Sequence, residues 1–271
     1  MEVITTLFSY SFITRALIVG ILVSLCSSVL GVSLVLKRYS MIGDGLSHVS
    51  FGALAVAAAL NTKPLVISVP IVIAAAFFIL RLTRKSTIGG DSAIAIFSSA
   101  ALATGIIITS MTSGINTDIC NYMFGSILAM NGSDVVVSVI LSVIVIFIYI
   151  LFYNRIFAIT FDEDFSRATG TKVDAYNMAL AVLTAITIVL GMRIMGALLI
   201  SSLIIFPALS AMRVCRMFKG VILLSAIISV LSFFIGVVVS YILEVPVGAS
   251  VVIVNLAVFI VLSAIERINA S

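Results

Sequence analysis

Tryptophan is absent from this 271-residue chain, histidine occurs once, proline four times, and charged residues make up only 10%. Soluble domains carry about 25% charge and roughly 45–50% apolar residues, whereas 62% of this chain is hydrophobic. That composition excludes an ordinary water-facing surface and points to a polytopic membrane protein. The formal net charge of +4 does not imply nucleic acid, because loop-located Lys and Arg of a membrane protein account for it. Without tryptophan, Tyr and Phe must serve as interfacial anchors. Cys26, Cys120 and Cys215 lie far apart with no CxxC pair, which gives neither a disulfide framework nor a thiolate metal site. No phosphate-binding GxxxxGKS or GxxxxGKT loop, HExxH, GxSxG or paired catalytic aspartate motif occurs, so neither ATP hydrolysis nor intramembrane enzymology is expected of the chain itself. No cleavable leader and no attached soluble domain are expected. Driving energy must then come from an ion gradient or another polypeptide.

What is present is a series of apolar stretches of spanning length. They fall near 11–36, 44–60, 64–82, 92–112, 133–153, 174–192, 196–213, 220–243 and 248–266. The second and seventh are short and marked by Gly or Pro, so the count is eight or nine. The fold class expected is an all-α transmembrane bundle with broken helices, forming one domain over residues 1–271. Lys37, Arg38, Arg81, Arg84, Lys85, Arg155, Arg167, Lys172, Arg213, Arg216, Lys219 and Arg267 fall in alternate loops and at the C-terminus. Nine spans place all of them on one side, which the positive-inside rule makes cytoplasmic. Eight would move the N-terminus inside. Arg15, Lys63 and Arg193 lie near the other side or within a span. The segment near 113–132, with Asp118, Asn121 and Tyr122, is too apolar for a plain loop and reads as a short re-entrant or interfacial helix. Small residues such as Ala74, Ala75 and Ala76 allow close helix packing.

Against this background Asp44 and His48 stand out. Four residues apart at the start of the second span, they share one helix face. Carboxylate and imidazole are favoured ligands for a borderline divalent metal, and an Asp at membrane depth costs roughly 2.5–3.5 kcal/mol on insertion scales. Metal contact is one reading. Another is that Asp44 caps the second span while His48 satisfies a nearby carbonyl. A third is a proton relay, as in a proton-coupled secondary transporter.

Two more stretches are informative. Phe161-Asp162-Glu163-Asp164-Phe165-Ser166-Arg167-Ala168-Thr169-Gly170 is the longest polar insertion on the basic side. Asp162 is suited to cap a short helix there, with acids in the first turn and Gly170 as its stop. Phe165 and Ala168 form a small apolar face, so the helix is either an interfacial ornament or a docking knob; its acids disfavour anionic lipid and favour a protein partner. Gly191, Gly196 and Pro207 punctuate the later run Gly191-Met192-Arg193-Ile194-Met195-Gly196-Ala197-Leu198-Leu199-Ile200-Ser201-Ser202, ending in Phe206-Pro207-Ala208, which reads as a broken helix or a Pro-kinked packing helix.

Taken in order, Gly43-Asp44-Gly45-Leu46-Ser47-His48, Asp91-Ser92-Ala93-Ile94, Tyr122-Met123-Phe124-Gly125, the Phe161–Gly170 loop, Gly196-Ala197-Leu198-Leu199-Ile200 with Pro207-Ala208, and Pro246-Val247-Gly248 resemble the metal-ion permease family of ATP-binding-cassette importers. The resemblance runs nearly the whole length. It implies a plasma-membrane permease subunit for zinc, manganese or iron(II), a homodimer, working with a cytoplasmic ATP-binding subunit and an extracellular metal-binding protein. Lipid is its medium, nucleic acid is no partner, and no cofactor is held permanently: the metal is cargo. It further implies that Asp44 and His48 meet the metal, and that Asp162, Glu163, Asp164, Phe165, Arg167, Ala168 and Gly170 form the coupling helix near 161–171. Val49-Ser50-Phe51-Gly52 after the His leans towards the zinc branch. Asp91 is expected to cap the fourth span, Asp118 and Glu244 to face the outer side, and Arg193 to pair with an acid or lie at the outer interface.

Overall fold

The computed structural model describes residues 11–85, 90–112 and 132–270, and every regular element among them is helical. In chain order these are α1 (Ser11–Leu36), α2 (Met41–Ala59), α3 (Pro64–Lys85), α4 (Gly90–Met111), α5 (Gly132–Leu151), α6 (Tyr153–Phe161), α7 (Glu163–Ala168), α8 (Val173–Met195), α9 (Ala197–Val214), α10 (Phe218–Leu243) and α11 (Val247–Ala270). All but α6 and α7, nine in the described residues, are long and apolar enough to cross a membrane. α5 illustrates why: its run of Val and Ile would favour a strand in water, but in lipid each backbone N–H and C=O must be satisfied within the segment, and only a helix does that alone. The expected re-entrant segment near 113–132, with Asp118 and Cys120, lies outside the described residues but for Gly132, which begins α5.

α1 is the central post. α8, α9 and α10 pack on it, and α2, α3 and α4 form a second group joined through α8 and α9. Small residues set these distances, since apolar burial gives little drive between helices in lipid. Gly31 lets α1 press against the backbone of Ile204 in α9. A Cβ on Gly52 would stand 2.6 Å from the carbonyl oxygen of Ala101, so α2 and α4 touch nearly backbone to backbone. Serines complete the seams: Ser229 donates to the Ser24 carbonyl at 3.0 Å, and Ser33 shares a hydrogen bond with Tyr149 at 2.9 Å.

The α8–α9 run is broken rather than kinked. Gly196 alone separates the two helices, with φ 82° and ψ 165°, a conformation open to glycine and costly to residues with a Cβ. Pro207 sits inside α9 without ending it. The corner lies well within the bundle: Met195 packs against Gly20, nine residues below the start of α1, or about 13 Å along its axis. Irregular backbone at such depth survives only when protein surrounds it; here Met192, Met195 and Ala197 are all buried.

Candidate functional site

Asp44 and His48 lie on α2, one turn apart. Asp44 Oδ2 is 3.7 Å from His48 Nε2. The Asp44 side chain is 48% exposed and that of His48 26%, so the pair faces an opening in the single chain instead of a sealed core. The expectation that Asp44 caps this helix is not met: α2 starts at Met41, Ser40 holds the cap position, and Asp44 lies in the first turn. The reason is the tight link from α1, where Arg38 adopts φ 60° and Tyr39 N donates to the Leu34 carbonyl at 2.8 Å. That reversal lets helical geometry begin three residues earlier than the sequence pattern suggests. Freed from capping, the Asp44 carboxylate points at α9 and accepts a hydrogen bond from Ser201 Oγ at 3.4 Å.

Ser201 belongs to the second turn after the Gly196 break. Ile204, one turn further, packs on both Gly31 and Gly43, while Met195 packs on Gly20. Asp44 and Ser201 therefore sit between the levels of Gly20 and Gly31, which are about 16 Å apart along α1, and so at membrane depth. The sequence pattern gives Ser201 a place in the punctuated run but no role at the site. The only signal for it was the Gly196 punctuation, and the pairing with Asp44 spans 157 residues. Among the described residues no group of three or more His, Cys, Asp or Glu could hold a metal ion. The pair with its serine oxygen is a sparse donor set.

The second feature is at the basic end. Asp162 caps α7, accepting from Phe165 N at 2.8 Å, and Gly170 at φ 82° follows the helix. Glu163 is held from below by Lys37, whose side chain is 4% exposed and also donates to the Ile159 carbonyl at 2.9 Å; Asn177 Nδ2 donates to Glu163 at 3.0 Å. Ser166 is buried, while Phe165 and Phe161 are left facing solvent at 66% and 60% exposure. Asp164, Arg167 and Ala168 are exposed as well, Arg167 pairing with Asp174 at 3.2 Å. α7 is thus a rigidly footed knob with an aromatic tip.

Other acids are elsewhere. Asp91 lies in the first turn of α4, exposed, beside a cavity of about 230 Å³ that it lines with Lys37, Arg38 and Tyr39. Glu244 ends α10 at φ 53° and is exposed. Asp118 and the Arg193 side chain lie outside the described residues.

Comparison with known proteins places this architecture. The chain is 31% identical to the manganese transport system membrane protein MntC of Listeria monocytogenes, covering 94% of this chain and 91% of that one. It is 30% identical to the high-affinity zinc uptake system membrane protein ZnuB of Haemophilus influenzae, covering 95% and 98%. The solved structure of PsaBC from Streptococcus pneumoniae in complex with Fab superposes with a TM-score of 0.87 at 28% identity, covering 96% of this chain and 94% of that chain. Residues 9–266 match the ABC 3 transport family, and the chain, a multi-pass membrane permease, belongs to it.

Proposed function

We propose that Asp44 and His48 form the station at which a divalent transition metal, zinc before manganese or iron(II), pauses on its way through the membrane. The observation that carries this is their geometry. Two donors bound to one tetrahedral ion at about 2.1 Å each stand roughly 3.4 Å apart, close to the 3.7 Å between Asp44 Oδ2 and His48 Nε2. Ser201 holds the carboxylate from the far side, leaving Oδ2 turned to the His. Such a site offers few protein ligands, which suits transit: an ion must bind well enough to shed water yet leave promptly. A second copy of the chain, related by a two-fold axis, would bring another such pair to the same path.

The preference for zinc is supported by the Val49-Ser50-Phe51-Gly52 run and by the zinc-named relative; the manganese-named relatives support the alternative. Energy comes from a cytoplasmic ATPase seated on α7, where the exposed Phe165, with Phe161 at the end of α6, gives it an apolar purchase, and cargo arrives from an extracellular binding protein. The test is metal uptake by cells depending on this chain. His48→Ala is expected to abolish zinc uptake while membrane insertion and ATPase association persist, and normal uptake by that variant would end the proposal. In competition, excess manganese is expected to leave zinc uptake intact; suppression would reverse the order of metals.

A further inference from the structure

One cavity belongs neither to the Asp44 site nor to the exposed face of α7. It is a groove of about 460 Å³ between the start of α6 and the start of α8. Its floor is apolar: Phe152 and Tyr176 meet edge-on with ring centroids 5.5 Å apart, and Ala179 extends it along α8. Its rim carries Arg155, Lys172 and the hydroxyl of Thr171. Arg155 is exposed and its hydrogen bond goes to Thr171 Oγ1 at 3.4 Å. Among the described residues no Asp or Glu lines the groove, and Asp174 nearby is engaged by Arg167.

The height of the groove is fixed by its neighbours. Tyr149, one turn before Phe152, hydrogen-bonds Ser33, one turn before Lys37. The groove therefore sits where the apolar helices give way to the basic end, with its lower floor on the membrane-spanning part of α8. We propose that it binds an anionic phospholipid of the cytoplasmic leaflet, phosphate between Arg155 and Lys172 and acyl chains against Phe152, Tyr176 and Ala179. Cationic pockets between helices on this side, open to the lipid below, match that amphiphile in both charge and shape. Since residues 169–172 are the exit from α7, a bound headgroup would brace the knob from the membrane side.

The test uses the full-length chain in mild detergent with dioleoyl phosphatidylglycerol or dioleoyl phosphatidylethanolamine, read by native mass spectrometry. Phosphatidylglycerol is expected to stay bound under conditions that strip phosphatidylethanolamine. The double substitution Arg155→Ala with Lys172→Ala should weaken retention about thirtyfold, and either alone about fivefold, from the contribution of each cation near an anionic surface. Arg155→Lys with Lys172→Arg should restore it, with elution and melting temperature confirming that each variant is folded. Equal retention of the two lipids, retention unchanged in the folded double variant, or failure of the charge-preserving variant would overturn the proposal. Displacement by millimolar inorganic phosphate would mark a small-anion site instead, and loss of the lipid on binding of the cytoplasmic partner would give the groove to that protein; either overturns it.

Discussion

At the scale of single residues, the Asp44 carboxylate makes two separable contacts: one oxygen lies towards His48 and the other accepts the Ser201 hydroxyl. Substitutions can split them. Asp44→Asn keeps an oxygen for Ser201 but removes the charge that favours a cation, and is expected to abolish zinc uptake. Ser201→Ala removes a long hydrogen bond to a half-exposed carboxylate, an interaction of about 1 kcal/mol, together with the alternative contact of the same hydroxyl to the Ala197 carbonyl at 3.4 Å. It should raise the zinc concentration for half-maximal uptake about fivefold and leave the maximal rate alone. Radiolabelled zinc uptake over a concentration series reads both; loss of maximal rate in Ser201→Ala would mean that the serine does more than hold Asp44. Asp44 and His48 were legible in the sequence because an i,i+4 pair is a local pattern, and ionisable groups are conspicuous in an apolar run. Ser201 was not, since serine is common in these spans and nothing local tells a seam serine such as Ser229 from one that faces a carboxylate.

Whole elements divide along the same line. The spanning helices could be read from length and hydropathy because lipid forces each apolar run to satisfy its own backbone, and the observed ends lie within four residues of those expected. The Gly196 corner was only half legible. Glycine marked the place, but the choice between a kink and a break is settled by packing across the bundle, where Met195 meets Gly20. α7 was legible as a capped helix, with Asp162 and Gly170 where cap chemistry puts them. What holds α7 down was invisible, because Lys37 reaches Glu163 from 126 residues away. Two substitutions therefore should behave differently. Asp162→Ala loses a side-chain cap worth about 1 kcal/mol but leaves the footing intact, so docking of a cytoplasmic partner is expected to weaken only a few-fold. Lys37→Met leaves the buried foot apolar and Glu163 without its cation, at about 1–3 kcal/mol. The knob is then no longer held in register, and partner association should fall at least tenfold at unchanged membrane insertion. Co-purification with the partner, titrated against its concentration, checks the order. If Asp162→Ala is the more damaging, α7 is held by its cap and not by its footing.

Over the molecule as a whole, the question is what moves a dication against its gradient. An Asp–His pair at membrane depth is chemically fit to carry a proton as well as a metal, so the site by itself does not separate a proton-driven carrier from an ATP-driven permease. The two differ in where force enters. A proton-driven carrier needs nothing beyond its own helices and would work alone. On the proposed reading the load enters at α7, fixed to the end of α1 through Lys37 and to α8 through Asn177, with Phe165 exposed at its tip. α1 packs on α9, which carries Ser201 to Asp44, so a push on α7 reaches the site through packed helices without passing through lipid. Vesicles containing this chain alone are expected to accumulate no zinc under an imposed proton gradient of either sign. Uptake should appear when the cytoplasmic ATPase and ATP are enclosed on the α7 side and the metal-binding protein is supplied on the other, and it should vanish with a non-hydrolysable nucleotide. Zinc accumulation driven by protons in the chain alone would transfer Asp44 and His48 to a proton relay and leave α7 without a function.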